Sequence, residues 1–122
     1  MENDSENIIA MQRNKAKKTS VLPVVDEALD QLNLSIEGYK EYIKCMPDDP
    51  DGYFGLAVSY KLLSEEHSES GNLLGEIECL RNAVEYMQKS QEFEKEGSQG
   101  LHGAMYNTAF YRRLLYQAMK RQ

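Results

Sequence analysis

The chain has 122 residues, of which 41% are hydrophobic and 28% charged, and carries a formal net charge of −6. That length allows one domain with a modest core and leaves no room for two. The charge is segregated: Val21 to Ser98 holds seventeen acidic side chains against six basic ones, while Gln99 to Gln122 holds four basic ones and no acid. An acidic body with a basic end lacks the broad cationic surface that nucleic-acid binding requires, and it suits a protein partner of mixed charge.

Residues 1–20 have few apolar side chains, mixed charge and no sustained period, which predicts an arm that is disordered when alone. Ile8, Ile9 and Met11 are the exception and are candidates for docking a short turn on a partner. The segment lacks the unbroken apolar core of a secretory signal, and nothing in the chain approaches the ~18 apolar residues of a membrane span, so the expected compartment is the cytoplasm.

After Thr19 and Ser20, candidate N-caps, the residues Val25, Ala28, Leu29, Leu32, Ile36, Tyr39, Ile43 and Met46 recur at spacings of three and four. This stripe predicts a helix from Pro23 to Cys45, ended by Pro47. A second helix is expected from Pro50 to Leu63, with Asp49 as its cap, Pro50 in its first position and Asp51 in its first turn. The polar stretch Ser64 to Asn72 reads as a loop. A third helix, Leu73 to Phe93, shows the stripe Ile77, Leu80, Ala83, Val84 and Met87, and GSQG at Gly97–Gly100 breaks it. The last, Leu101 to Lys120, places Leu101, Ala104, Met105, Thr108, Tyr111, Leu115 and Ala118 on one face. The expected class is all-α with four helices, in a single domain from residue 21 to 122.

The segment MPDDPDGYFGLAVSYKLL, Met46 to Leu63, has two possible meanings. As a calcium loop with Gly52 in sixth place, it would put Pro47 first and Val58 twelfth, where an oxygen ligand and a bidentate carboxylate are needed. The metal reading therefore fails. As a helical corner it uses more of its residues. Tyr53, Leu56, Ala57 and Tyr60 form a large-x2-Leu-small-x2-Tyr pattern, and Pro47 precedes Tyr53 by six. The small Ala57 allows a neighbouring helix to come close, with a tyrosine wedged on either side.

In these residues the sequence resembles the tetratricopeptide-repeat (TPR) family, whose unit is an antiparallel helix pair repeating every 34 residues or so. The resemblance covers about Ser35 to Met87, with Leu80 and Ala83 at the large and small positions of the pair's second helix. The stretch before the third helix is about seven residues longer than the repeat, and Glu76 stands where a small residue is usual. Plain four-helix packing is the alternative. The resemblance implies a concave groove that holds a partner's peptide or helix. On its face the second helix would present Asp51, Phe54, Gly55, Val58, Lys61 and Leu62, with Phe54 as the anchor. Relatives that grip a chaperone's terminal carboxylate use Lys and Asn on this face; here Phe54 and Val58 occupy it. The groove thus suits an apolar or helical segment.

The candidate chemistry elsewhere is sparse. Cys45 and Cys79 have no metal-ligand spacing and read as reduced, small core residues. His67 lies in the polar SEEHSES stretch and His102 opens the last helix, neither with a partner at useful spacing; no catalytic, metal or cofactor site is expected. Arg112 and Arg113, mid-helix in NTAFYRRLLYQAMKRQ, are the remaining partner-binding candidates, beside Tyr106, Tyr111 and Tyr116. One and a half repeats would leave apolar faces with little cover, which implies an obligate partner or a second copy. Two functions follow as expectations: an adaptor, chaperone or assembly factor that holds a protein segment, or a permanent accessory subunit of a larger complex.

Overall fold

The computed structural model describes the backbone of Pro23–Gln122 and the side chains from Glu27 onward. The expected arm of residues 1–20, with Ile8, Ile9, Met11 and the caps Thr19 and Ser20, lies outside the described residues. Four helices follow in order: α1 (Pro23–Cys45), α2 (Pro50–Glu69), α3 (Leu73–Phe93) and α4 (Gln99–Lys120). The described residues contain no strand, so the class is all-α as expected. The described residues divide into two units at Gln31. In the first, Pro23–Gln31 forms the opening turns of α1, with Ala28 and Leu29 half-buried.

The second unit, Leu32–Gln122, holds the core. Its first turn is the corner that the sequence marks with Pro47 and Pro50. The Asp49 side chain caps α2 by accepting from the Asp51 N–H at 2.9 Å, and Pro50 occupies the first turn, where a missing N–H costs nothing. Tyr53 is buried and its hydroxyl donates to the Pro47 carbonyl at 2.7 Å, which ties the helix to the corner that precedes it.

Past the corner, α2 and α3 pack along their length. Ala57 and Ala83 are fully buried, so the seam has no bulk at its centre. Tyr53 stacks on Phe93 with centroids 5.3 Å apart, and Tyr60 stacks on Tyr86 at 5.9 Å. Small residues in the middle and stacked rings on both sides set the spacing and the slide of the two helices. The buried stripe of α3 is Ile77, Leu80, Ala83, Val84 and Met87, as the period predicts. Ala104, Tyr111 and Ala118 of α4 close the core from the other side. A short polar chain locks that contact: Gln91 Nε2 donates to Thr108 Oγ1 at 2.6 Å, and the Thr108 hydroxyl donates to the Ala104 carbonyl at 2.8 Å.

Three expectations need correction. The stretch Ser64–Asn72 is not a loop, because α2 continues to Glu69 and leaves only Ser70–Asn72 as the turn. Glutamates are good helix formers, Lys61 pairs with Glu65 one turn on, and the Ser64 hydroxyl is satisfied by the Lys61 carbonyl at 2.6 Å. The stop is Gly71, whose φ of +79° suits glycine, with Asn72 N–H reaching back to the His67 carbonyl at 2.8 Å and Gly71 N–H to that of Ser68 at 3.1 Å. Asn72 then caps α3, accepting from Gly75 N–H at 3.0 Å. The polar stretch is thus mostly absorbed as extra helix. The second correction concerns Cys45, which is exposed at the end of α1, whereas Cys79 is buried as expected. The third is Met105, half exposed although it falls among the apolar positions of α4.

Candidate functional site

Between the C-terminal half of α2, the start of α3 and the C-terminal half of α4 lies a pocket of about 310 Å³. Leu80, Phe110 and Leu114 supply its apolar part, and two ion pairs stand at its rim. Lys61 pairs with Glu65 on α2 and holds its ammonium 5.8 Å from the Phe110 ring centre of α4. Arg121, just past α4, donates to Glu76 Oε2 at 2.5 Å; Glu76 opens α3, where a carboxylate also faces the positive helix end.

The pocket continues into an exposed apolar surface. Tyr106 stacks on Phe110 at 6.4 Å and is 72% exposed, and Leu62 on α2 is 41% exposed. Tyr106 and Phe110 were not singled out in the sequence as groove residues. Their signal is the four-residue spacing of two aromatics, which puts both on one side of a helix.

The partner-binding candidates of α2 fall in three groups. Phe54 and Val58 are half-buried against the core cluster that contains Ala104 and Tyr111, so much of each side chain is used within the fold. Lys61, Leu62 and Asp51 remain accessible, Lys61 at the pocket rim. Gly55 lies beneath the Tyr39 ring of α1, where an added Cβ would drive into the ring. Gly52, one turn earlier, carries Tyr42 and Ile43, each 2.9 Å from where its Cβ would be. The glycine surface of α2 is therefore taken by α1.

Arg112 and Arg113 are both exposed, and among the described residues neither makes an ion pair. Consecutive helical residues point about 100° apart, so the two serve different surfaces. Arg113 shares the side of Tyr106, towards the groove, whereas Arg112 shares the side of Met105 and Tyr116, away from it.

The polar side chains elsewhere are committed locally. Asp49 accepts from the Tyr42 hydroxyl at 2.5 Å with one oxygen and from Asp51 N–H with the other, and the Tyr42 bond holds its carboxyl below the ordinary value. His67 Nδ1 lies 3.2 Å from Asn72 Nδ2 in the α2–α3 turn. Burial pushes the Cys79 thiol up to about 11, which leaves it protonated and unreactive at neutral pH. Among the described residues no three metal-ligating side chains come together, and no helix is long and apolar enough to cross a membrane. No family model matches the chain, and neither a curated protein nor a solved structure matches it.

Proposed function

We propose that this chain is a non-enzymatic, TPR-like interaction module that holds an apolar or helical segment of another protein in the groove between α2 and α4. The observation that carries the reading is the apolar surface that runs from Leu80, Leu114 and Phe110 in the pocket to the exposed Tyr106 ring stacked on Phe110, with the Lys61 ammonium beside the Phe110 ring. A groove with an apolar floor and charged rims receives one face of an amphipathic segment and pairs with its flanks. Two features support the TPR-like architecture: the tyrosines on either side of Ala57 turn inward and stack across the hairpin, and the residues in excess of the repeat extend α2 without disturbing the seam. The two free thiols fit a cytoplasmic setting.

A second reading, permanent residence in a larger complex, is favoured by the number of large apolar side chains left open away from the groove. Leu34 and Leu74 are each about two-thirds exposed or more, and Met46 is half exposed. A transient adaptor is soluble and monodisperse alone, whereas a permanent subunit aggregates without its partners.

A photo-crosslinking residue placed at Gln117, an exposed residue of the pocket lining, compared with one at Glu85 on the outer side of α3, tests the groove. The proposed function requires a discrete crosslinked protein from position 117 at native expression level and none from position 85. Equal labelling from both positions, or none from either, would overturn it.

A further inference from the structure

The side of α4 turned away from the groove carries a second surface. Met105, Ala109, Arg112, Tyr116 and Met119 follow one another at spacings of four, three, four and three, the repeat that keeps a single seam facing a partner helix. All five are exposed: Tyr116 is 68% accessible and Met105 50%, although this helix buries Ala104, Thr108, Tyr111 and Ala118 on the adjoining side. The stripe spans about 21 Å, four turns, at the ordinary helical rise.

Its electrostatics are one-sided. No acidic residue occurs in α4, Arg112 stands in the middle of the stripe, and Lys120 places its ammonium 5.9 Å from the Tyr116 ring centre near its end. Arg112 can lay its apolar stem along the seam and present its head to an acid at the border.

We propose that this face of α4 docks an acidic amphipathic helix of another protein, about four turns long, independently of the α2–α4 groove. Charge decides the occupant. A helix with glutamates flanking an apolar seam would meet Arg112 and Lys120, and no carboxylate of α4 opposes it. The helices that a second copy offers among the described residues mix cations with their acids. The described side chains of α1 set Lys40 and Lys44 against Glu27, Asp30, Glu37 and Glu41, and α3 sets Arg81 and Lys89 among its outer glutamates, with Leu74 and Phe93 as its exposed large apolar residues. An anionic membrane is disfavoured because the strongly acidic body adjoins the basic helix.

The test uses the full chain and two synthetic 21-residue helices with leucine at the seam, one flanked by glutamates and its sibling by lysines. Fluorescence anisotropy at low salt should show the acidic peptide binding at least about tenfold tighter than the sibling, with affinity falling as salt rises. Arg112→Glu and Tyr116→Glu should each weaken it about tenfold or more, and Leu62→Glu, on α2, should leave it unchanged; all three variants alter exposed positions and should melt like the parent. Equal binding of both peptides, no binding, or binding lost only with Leu62→Glu would overturn the proposal. So would self-association, or adhesion to phosphatidylserine vesicles, that Tyr116→Glu abolishes, since the face would then belong to a second copy or to a lipid surface.

Discussion

The helix α2 meets its two neighbours through different small residues. Against α3 it offers Ala57 to Ala83, with the stacks Tyr53–Phe93 and Tyr60–Tyr86 on either side. Against α1 it offers Gly52 and Gly55, covered by Ile43, Tyr42 and Tyr39. In the first seam every ring is gripped by a ring from the opposite helix, and the alanines between them are sealed. In the second the Tyr39 and Tyr42 rings lie on bare backbone, and no ring of α2 stacks on either. Close approach alone therefore does not make a rigid seam; interlocking from both helices does. The α2–α3 pair is expected to be the last part of the molecule to open, and the α1 contact the first.

The largest effect should come from the sealed seam. Leu56 is 1% exposed, and Leu56→Ala should cost about 3 kcal/mol of unfolding free energy from lost burial and the cavity left behind. Urea denaturation would measure it, and the matching Tyr39→Ala in the open seam should cost about 1 kcal/mol, since a half-exposed ring has less burial to lose. Equal losses at the two sites would show that the seams are alike.

Gly55 sharpens the contrast. Gly55→Ala should gain about 1 kcal/mol of helix propensity and lose a comparable amount by displacing the Tyr39 ring, so the net change is small and the α1 contact loosens. In the Tyr39→Ala background the ring is absent, and Gly55→Ala should stabilise by about 1 kcal/mol. Hydrogen exchange supplies the second readout: in the single variant, protection should fall over Tyr39–Cys45 and persist in α3. A stabilising Gly55→Ala in the parent would mean that the Tyr39 ring contributes nothing to the seam.

The parts of this architecture that were legible in the sequence are those carried by local periodicity and caps. The stripe of α3 needs only the period of a helix, and Asp49, Pro50 and Asp51 mark a helix start chemically. The last turns of α2 were hidden because Ser64 to Asn72 is entirely polar, and a solvated helix has no apolar period to display. The left-handed glycine at Gly71 and the Lys61–Glu65 spacing were the available signals. The site was half legible. Lys61 does line the pocket, but the covering of Gly55 by Tyr39 depends on how two helices cross, which no window of sequence contains. Arg112 and Arg113 are adjacent in the chain, and the helix turns them about 100° apart, onto different surfaces.

A smaller effect is expected at the pocket rim. Arg121 is half exposed and Glu76 largely covered, so Arg121→Ala should cost less than about 1 kcal/mol and should do so only at low salt. An unchanged loss in molar salt would point to packing of the arginine stem.

The least costly change lies in the corner between the two seams, where Tyr42 donates to a partly exposed Asp49. The bond lowers the Asp49 carboxyl from 3.8 and raises the Tyr42 phenol from 10.0, so the sign differs at the two ends of the pH scale. On the acid side the folded chain binds its proton less readily than the unfolded one, so the contribution is complete above the ordinary carboxyl value and is lost as pH falls through the lowered one. On the alkaline side it is complete below the ordinary phenol value and is lost as pH rises through the raised one. Between these limits the corner should be insensitive to pH. Asp49→Asn removes the acid branch and weakens the alkaline one, because the amide oxygen still accepts the bond but no longer brings a charge. Stability measured from pH 2 to 11, with tyrosine absorbance followed through the upper limb, would show whether the corner tightens the α1 seam: if it does, hydrogen-exchange protection of Tyr39–Cys45 falls at both extremes while that of α3 does not.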